Sequence, residues 1–391
     1  MSTRIDGSMI DKVLRDAVST GAVPHVAAIA ADRDGILYEG GAGVRIAGES
    51  DDPVGTSTQF RLMSMTKMVC TTVALQQVER GELDLDAPVA DYVPAFAGVP
   101  VLDGFDGDTP RLRAPASRAT VRQLLTHTTG LGYWFWSEDL VTFERVTGMP
   151  NVVPGSAEAF KAPLLFDPGT RFNYGINTDW LGRVVEAVAG TTLDVVIRDR
   201  VTGPLGMSDT MFRLDPARYA NCVTVHVKGE DSSWVSAGEI LNQEPDWWAG
   251  GHGLYSTPRD YIRFERALLR GGELDGERIL RAETVDAAFT NQIGELNVPV
   301  EIPTADPPIS DTIRFGPGWK WGFGLLLNTA DIPGARRAGT GAWAGLFNTH
   351  FFIDRTTGIC ASIYTNSLPF ASEHEAWQTY ADFEAALYAS L

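Results

Sequence analysis

Strand-like segments at both ends of the chain constrain its fold more than any other feature of the sequence. Each is a short apolar run that favours β-structure, and the first two flank the turn-forming sequence Asp32-Arg33-Asp34-Gly35. These strand candidates are residues 25–31, 36–43, 321–328, 346–353 and 358–365, and a helix is predicted after them at about 370–390. Because the residues between them are rich in helical patterns, we expect one sheet built from both termini, with the middle of the chain as an insertion.

The chain length favours two lobes. The sequence has 391 residues, and a single hydrophobic core stops growing beyond roughly 250–300 residues. We therefore place a sheet domain at residues 1–80 and 250–391, and a mainly helical domain at 81–249. The expected fold class is α/β, in the sense of α+β.

The sequence predicts two helices and two long surface connections. Residues 64–80 and 178–189 carry apolar side chains at helical spacing, and a glycine follows each run. Residues 94–118 and 296–318 are rich in Pro and Gly and are predicted to be surface loops. The second of these is long enough to be functional or mobile.

Charge and composition exclude several classes of partner. The chain carries 50 Asp+Glu against 32 Lys+Arg, a net charge of −18, and a field of this sign repels phosphate backbones and anionic lipid. No run of about 18 uncharged apolar residues occurs, and the N-terminal residues form an amphipathic pattern unlike a signal peptide. We therefore expect a soluble cytoplasmic protein with neither nucleic acid nor membrane as a partner.

Cysteine usage argues against structural cross-links. Cys70, Cys222 and Cys360 are an odd number and show no Cys/His ligand spacing. Neither a disulfide framework nor a structural zinc site is indicated.

The strongest chemical signature is Ser64-Met65-Thr66-Lys67 at the start of the first predicted helix. The chain has only five lysines, and this spacing puts the two side chains on one helix face, about 5–6 Å apart at Cβ. A buried Lys of lowered pKa can take the proton of a Ser hydroxyl and make it a nucleophile. The alternatives are a helix N-cap for Ser64 and a solvated first-turn residue for Lys67.

Two more segments are candidates for the same site. Tyr174 lies just before the second helix, and a phenol near a cationic Lys could relay protons, although a loop Tyr is commonly a packing residue. The glycine-rich residues 339–345 precede a strand candidate and would let its backbone approach a ligand, Gly345 included. Their N–H groups could complete an oxyanion hole with the N–H of Ser64, and a simple turn is the alternative.

Taken together and in order, these segments resemble the serine β-lactamase-like superfamily, and within it the family VIII carboxylesterases related to class C β-lactamases. The resemblance covers nearly the whole chain. Besides Ser64-x-x-Lys67 and Tyr174, it rests on segments that share their order and separation: 81–89, 124–134, 181–182, 204–207, 250–253 and 343–345.

This resemblance implies both a fold and residue roles. It implies a β-lactamase/transpeptidase-like antiparallel sheet flanked by helices, with an inserted helical domain and the active site in the cleft between them. Ser64 would be the nucleophile, Lys67 the group that deprotonates it, and Tyr174 the proton relay and partner base. The oxyanion hole would consist of the backbone N–H groups of Ser64 and Leu346, and Tyr133 and Trp343 would line the cleft.

The chain departs from penicillin-acting relatives at two points. Those relatives carry Y-x-N, whereas Tyr174 is followed by Gly175 and Ile176, with Asn177 one place late. They also carry K-T-G where this chain has Trp343-Ala344-Gly345, so the cation that holds a substrate carboxylate is missing. Both changes favour short, neutral esters over β-lactam carboxylates.

His252 is the last candidate for substrate contact. It lies within Gly250-Gly251-His252-Gly253, where relatives usually have a small residue, and the segment borders the implied cleft. His127, in the shared Thr-His-Thr segment, is interpreted as structural.

The leading hypothesis is a carboxylesterase that forms an acyl-enzyme on Ser64 and uses no metal or organic cofactor. The alternatives on the same scaffold are a β-lactamase or D-Ala peptidase and a short-chain amidase. A catalytically silent binding or regulatory homologue is a further alternative, since this fold hosts all these functions. The sequence leaves acyl and alcohol specificity, the physiological substrate and the oligomeric state open.

Overall fold

A seven-stranded antiparallel sheet is the largest element of the computed structural model, which describes residues 5–373 and 375–391. In chain order the strands are β1 (His25–Asp32), β2 (Ile36–Gly43), β3 (Phe60–Arg61), β4 (Val101–Asp106), β5 (Thr109–Arg113), β6 (Val225–Lys228), β7 (Trp234–Gly238), β8 (Tyr255–Ser256), β9 (Glu273–Leu274), β10 (Glu277–Arg278), β11 (Glu301–Ile302), β12 (Ile313–Arg314), β13 (Trp319–Trp321), β14 (Leu326–Asn328), β15 (Gly341–Gly345), β16 (Thr349–Asp354) and β17 (Ile359–Tyr364).

Helices cover the sheet and fill the middle of the chain. They are α1 (Ser8–Ser19), α2 (Thr66–Glu79), α3 (Val89–Tyr92), α4 (Val121–Leu125), α5 (Glu138–Thr147), α6 (Asn177–Ala189), α7 (Leu193–Ile197), α8 (Pro216–Ala220), α9 (Pro258–Leu269), α10 (Ala282–Ala288) and α11 (Ala376–Ala389). Among the residues described, no helix combines the length and apolar character needed to cross a membrane.

The order of the strands in the large sheet is β13-β14-β15-β16-β17-β1-β2. Strand β1 therefore lies beside β17, with Ala27 opposite Tyr364, and the sheet takes its strands from both ends of the chain. This confirms the expected fold class, an antiparallel sheet flanked by helices. The domain boundaries at 80/81 and 249/250 stay a prediction.

Both faces of strand β1 are buried, which explains why residues 25–31 form one continuous apolar run. Val26, Ala28 and Ala30 face one cluster, which includes apolar residues of α1 and α11. The alternate side chains Ala27, Ile29 and Ala31 face the main core, which includes apolar residues of α2, α6 and α9. Burying such side chains supplies most of the folding energy, about 25 cal/mol per Å² of apolar surface.

Three sequence predictions about strands and loops are corrected by the structure. Residues 321–328 form not one strand but parts of β13 and β14, because the backbone turns at Gly324, which has φ +75°. Within 346–353 the strand begins only at Thr349, since Asn348 has φ +58° and turns the chain there. The stretch 94–118, predicted as loop, contains the hairpin β4–β5, in which Asp106 pairs with Thr109.

The helix predictions hold with small shifts at the ends. The helix predicted at 64–80 begins at Thr66 and follows a 3-10 turn, Met63–Met65. The helix predicted at 178–189 is α6, and it ends at Gly190, which adopts the left-handed conformation with φ +67°. Helix α2 is buried along nearly its whole length, so its first turn lies inside the molecule.

Glu265 on α9 is a buried acid in the core and leads to a stability prediction. It is 0% exposed, and burial raises the pKa of its carboxyl well above the usual value. A carboxyl whose pKa is raised by folding contributes its stability at low pH and loses it as pH rises above the unfolded-state pKa, about 4.3. Glu265→Gln should therefore raise the free energy of unfolding at pH 8 by about 1 kcal/mol or more.

Urea denaturation of the Glu265→Gln variant and the native protein at pH 5 and pH 8 measures this effect. The difference in free energy of unfolding between the variant and the native protein should become smaller towards pH 5. Glu283→Gln, at an exposed position on α10, is the control and should change stability by less than about 0.5 kcal/mol. A Glu265→Gln variant that loses the same stability at both pH values would contradict the prediction.

Candidate active site

Ser64 lies on the 3-10 turn that leads into α2. Met63, the residue before it, has φ +48°, a left-handed conformation that is unfavourable for a residue with a side chain. The Thr66 hydroxyl accepts the N–H of Leu254 at 3.1 Å and so ties this turn to the 250–254 segment. Ser64 makes no capping hydrogen bond to α2, whose N-cap is Met65, so the interpretation of Ser64 as a helix cap is wrong.

Lys67 is buried directly behind Ser64. It is 1% exposed, and its Nζ lies 3.1 Å from Ser64 Oγ, as the spacing in the helix predicted. Burial lowers the pKa of Lys67 to about 7, opposed by the charge of Asp179. The interpretation of Lys67 as a solvated surface residue is therefore wrong, and its amine can exist as a free base near neutral pH.

The other two hydrogen bonds of Lys67 determine where its lone pair points. Nζ donates to the carbonyl oxygen of Gly251 at 2.8 Å and to the hydroxyl of Tyr133 at 2.9 Å. A neutral amine has two N–H groups and one lone pair. With both N–H groups donated, the lone pair remains to accept the proton of Ser64.

Tyr174 stands on the other side of Ser64. Burial raises the pKa of this phenol well above the usual value, and its interactions with Ser64 and Trp343 oppose that effect. Trp343 Nε1 donates to the Tyr174 hydroxyl at 2.8 Å, and the Lys67 ammonium position lies 4.8 Å from the Tyr174 ring centroid. Because the indole occupies an acceptor site of the phenol oxygen, the phenol O–H is free to donate towards Ser64.

Asn177 does not take the place of the missing Y-x-N asparagine. Its Nδ2 lies 3.0 Å from His127 Nδ1, and its Oδ1 accepts from the Thr129 hydroxyl. Burial holds the pKa of His127 well below its usual value, and its ring packs against Tyr174 with centroids 4.6 Å apart. His127 and Asn177 thus support the Tyr174 ring from behind, in agreement with the structural interpretation of His127.

Tyr133 was predicted only to line the cleft, and the structure brings its hydroxyl onto the Lys67 amine. Burial raises the pKa of its phenol well above the usual value, and its interaction with Ser64 opposes that effect. No spacing in the sequence signals this contact, because Tyr133 and Lys67 are 66 residues apart. Two phenols therefore approach the nucleophile, where the sequence indicated one.

A small cavity of about 150 Å³ adjoins the two tyrosines. Its walls are mainly aromatic and aliphatic, and they are formed by Tyr133, Trp136, Phe172, Asn173, Tyr174, Pro299, Glu301, Ile302 and Pro303. The only charged side chain in this set is acidic, Glu301, which is paired with Arg314 at 3.2 Å. The cavity is therefore suited to a small uncharged group.

The 296–318 connection, predicted as a long loop, forms one wall of this cavity and is anchored. Trp134 Nε1 donates to Asp306 at 3.0 Å, and Trp136 Nε1 donates to the Ser310 hydroxyl at 3.0 Å. The N–H of Ala305 donates to the Phe135 carbonyl at 2.8 Å. The indole groups of the 134–136 turn thus hold this wall in place, and it also contains the short pair β11–β12.

Strand β15 brings the predicted oxyanion-hole segments together. A Cβ added to Gly345 would lie 2.2 Å from the Leu62 carbonyl oxygen, so only glycine lets β15 approach the turn that carries Ser64. Leu346 follows directly, and Thr349 Oγ1 donates to the same carbonyl at 3.0 Å. Gly345 thus positions the strand. That the N–H groups of Ser64 and Leu346 form the hole stays a prediction.

His252 lies apart from the cavity between the tyrosines. It is 5% exposed and lines a separate, smaller space together with Trp247 and Phe212. Its Nδ1 is 3.6 Å from Asp179 Oδ1. Contact between His252 and substrate remains a prediction. The sequence reasoning missed Asp179, the buried residue beside it.

In the part of the chain that the structure describes, no group of three or more His, Cys, Asp or Glu residues is arranged to hold a metal ion. The polar side-chain groups around Ser64 are the amine of Lys67 and the phenols of Tyr133 and Tyr174. This set matches nucleophilic acyl transfer assisted by a base.

Comparisons with known proteins place this geometry in context. The Beta-lactamase family model matches residues 10–385. Lovastatin esterase of Penicillium rubens is 32% identical over 366 residues, which cover 90% of this chain and 90% of that protein. Monacolin J acid methylbutanoyltransferase of Aspergillus terreus is 28% identical over 412 residues, which cover 97% of this chain and 95% of that protein.

The fold comparison agrees with the sequence comparison. Unliganded simvastatin synthase from Aspergillus terreus superimposes with a TM-score of 0.83 at 28% identity, and the match covers 97% of each chain. The similarity therefore extends across both the sheet and the middle of the chain.

Proposed function

This chain belongs to the beta-lactamase family, and from that membership we propose that it is a serine carboxylesterase that cleaves short-chain esters through an acyl-enzyme on Ser64. The members compared above include an esterase and an acyltransferase, and the family fold is that of serine hydrolases. The observation that carries the proposal is the buried amine of Lys67, 3.1 Å from Ser64 Oγ.

Acylation begins with proton transfer from Ser64 to Lys67. The neutral amine takes the hydroxyl proton while Oγ attacks the ester carbonyl, and the N–H groups of Ser64 and Leu346 receive the developing oxyanion. The Lys67 ammonium, relayed by a phenol, then protonates the departing alcohol. In deacylation a water molecule loses its proton to the same base and attacks the acyl carbon.

Tyr174 takes part as a neutral phenol in this scheme. Family members that act on penicillin carry a lysine where this chain has Trp343, and a cation there would favour a phenolate. The indole N–H offers a hydrogen bond without a full charge, and burial raises the Tyr174 pKa. Lys67 is therefore the base. Tyr174 donates a hydrogen bond to Ser64 Oγ and relays protons through it.

The expected substrate is small and uncharged. The proposal places the acyl group in the cavity beside Tyr133 and Tyr174, whose volume of about 150 Å³ is small beside the roughly 300–1,000 Å³ of sites for drug-sized ligands. Glu301 is its only charged lining residue, so a substrate carboxylate finds no cation there. Both features support a short acyl group on a neutral ester over a β-lactam carboxylate.

A panel of p-nitrophenyl esters graded by acyl length tests this proposal, with nitrocefin and a short linear amide in the same series. We expect the highest kcat/KM for acetate or butyrate, a decline of about tenfold or more towards long chains, and slow turnover of nitrocefin. Faster turnover of nitrocefin or of the amide than of every ester contradicts the proposal in favour of a β-lactamase, a peptidase or an amidase.

Acyl transfer to an alcohol is a second candidate activity. The similarity to a methylbutanoyltransferase over 97% of this chain supports it. Adding a short alcohol to the ester assay and quantifying the new ester against free acid separates transfer from hydrolysis.

We also infer a cytoplasmic setting and a small-molecule ester as the substrate, with neither nucleic acid nor membrane as a partner. The net charge of −18 opposes nucleic acid and anionic membranes, and the buried free cysteines Cys70, Cys222 and Cys360 suit a reducing compartment.

A further inference from the structure

Asp179 is a fully buried carboxylate with no role in the steps above. It lies in the first turn of α6 and is 0% exposed. Its Oδ1 accepts the N–H of Gly251 at 2.8 Å, and its Oδ2 is buried without a hydrogen-bond partner among the described residues. Burying a charged group is costly unless other charges or dipoles compensate, so its surroundings must supply that compensation.

One source of compensation is the helix itself. The N–H groups at the start of α6 carry a partial positive charge that favours a carboxylate in the first turn. The other source is the amine of Lys67, because the charge of Asp179 acts on that amine and raises its pKa against the effect of burial. The buried carboxylate and the catalytic base therefore interact electrostatically without direct contact.

Gly251 connects the two. Its N–H donates to Asp179, and its carbonyl oxygen accepts from Lys67 Nζ at 2.8 Å. A Cβ on Gly251 would lie 2.5 Å from Asp179 Oδ2, so only glycine allows the carboxylate to pack this closely. The position of Asp179 thus determines where the Gly251 carbonyl holds the amine.

Several other ionisable groups surround the amine. Each of them interacts electrostatically with Lys67 or with Asp179. They are Cys70 on α2, Tyr133, Tyr174, His127 and His252. Burial raises the pKa values of the thiol and phenols and lowers those of the two imidazoles, so all five favour their neutral forms. Asp179 is the carboxylate of this group.

We propose that Asp179 is a positioning residue for catalysis: it holds Gly251 so that the carbonyl orients Lys67, and its negative charge balances the proton that Lys67 takes from Ser64. This proposal rests on the proposed function, in which Lys67 is the base. Proton transfer turns the neutral amine into an ammonium while the oxyanion develops on the substrate, and the negative charge of Asp179 stabilises that ammonium. Asp179 therefore favours proton transfer without touching the substrate.

Asp179→Asn separates the charge from the geometry. The amide oxygen can still accept from Gly251, so Lys67 stays oriented while the negative charge is lost. The pKa of Lys67 should fall, and the acid limb of the kcat/KM profile should move to lower pH by about one unit. The plateau should drop by about tenfold, because a weaker base takes the Ser64 proton less readily, while KM changes little.

Asp179→Ala and Asp199→Asn complete the experiment. The alanine variant also leaves the Gly251 N–H unpaired, so its kcat should fall below that of the asparagine variant. Asp199 is exposed and paired with Arg198 at the surface, so Asp199→Asn should match the native profile. Thermal unfolding of each variant identifies any loss of fold.

The outcomes are distinct. The proposal is overturned if the acid limb of the kcat/KM profile of Asp179→Asn stays at its native pH and the plateau stays within twofold of native. It is also overturned if the plateau falls while the acid limb stays at its native pH. If that variant does not fold, Gly251→Ala decides, since its methyl group must displace Asp179 or the carbonyl. Near-native kinetics there overturn the proposal, and a loss of kcat of about tenfold or more supports it. An inactive native protein refutes the proposed function instead.

Discussion

Replacing Ser64 by Ala should abolish ester hydrolysis, with kcat for p-nitrophenyl butyrate falling by about 10⁴-fold or more. The reason is chemical: no acyl-enzyme can form without Oγ, and the remaining groups can only polarise the ester. Because Ser64 lies on a turn and makes no capping bond to α2, the substitution removes one oxygen and leaves the helix intact.

The measurement pairs steady-state kinetics with covalent labelling. A reactive phosphonate should label the native protein once, as seen in the intact mass, and should not label Ser64→Ala. Ser208→Ala, an exposed serine outside the site, is the control and should be native in both assays. Ester turnover at native rates in Ser64→Ala would show that Ser64 is not the nucleophile. Complete inertness of the native protein to the probe would favour a binding or regulatory homologue.

Replacing Lys67 should be almost as damaging as replacing Ser64. Lys67→Met keeps the length of the side chain and removes the base. Lys67→Arg keeps a cation that cannot release its proton at neutral pH. Both should lower kcat by about 10³-fold or more, because among the described residues only Lys67 places an amine within hydrogen-bond distance of Ser64 Oγ.

The pH profile of the native enzyme tests the same point. The pKa of Lys67 is lowered to about 7, so kcat/KM should rise as pH increases through about 7 and the amine loses its proton. Lys161→Met, at an exposed position, should keep this profile. A Lys67→Arg enzyme with a tenth or more of native activity would show that another group accepts the proton.

The sequence determined the local features. Successive side chains of β1 point to opposite faces of the strand, and because both faces are buried, its apolar run is continuous. The proximity of Ser64 and Lys67 follows from their i, i+3 spacing across the turn that leads into α2, which brings the two side chains to one face. The sheet built from both ends was predictable because apolar runs that favour β-structure must find partners.

Tertiary packing decided what makes these residues chemically useful. The burial that lowers the Lys67 pKa depends on the segments folded over α2, and the contacts of Lys67 with Tyr133 and Gly251 join residues 66 and 184 positions apart. Neither the hydrogen bond from Trp343 to Tyr174 nor the approach of Asp179 to Gly251 leaves a spacing that sequence can reveal. Local geometry is encoded residue by residue, but desolvation and long-range contacts exist only once the chain has packed.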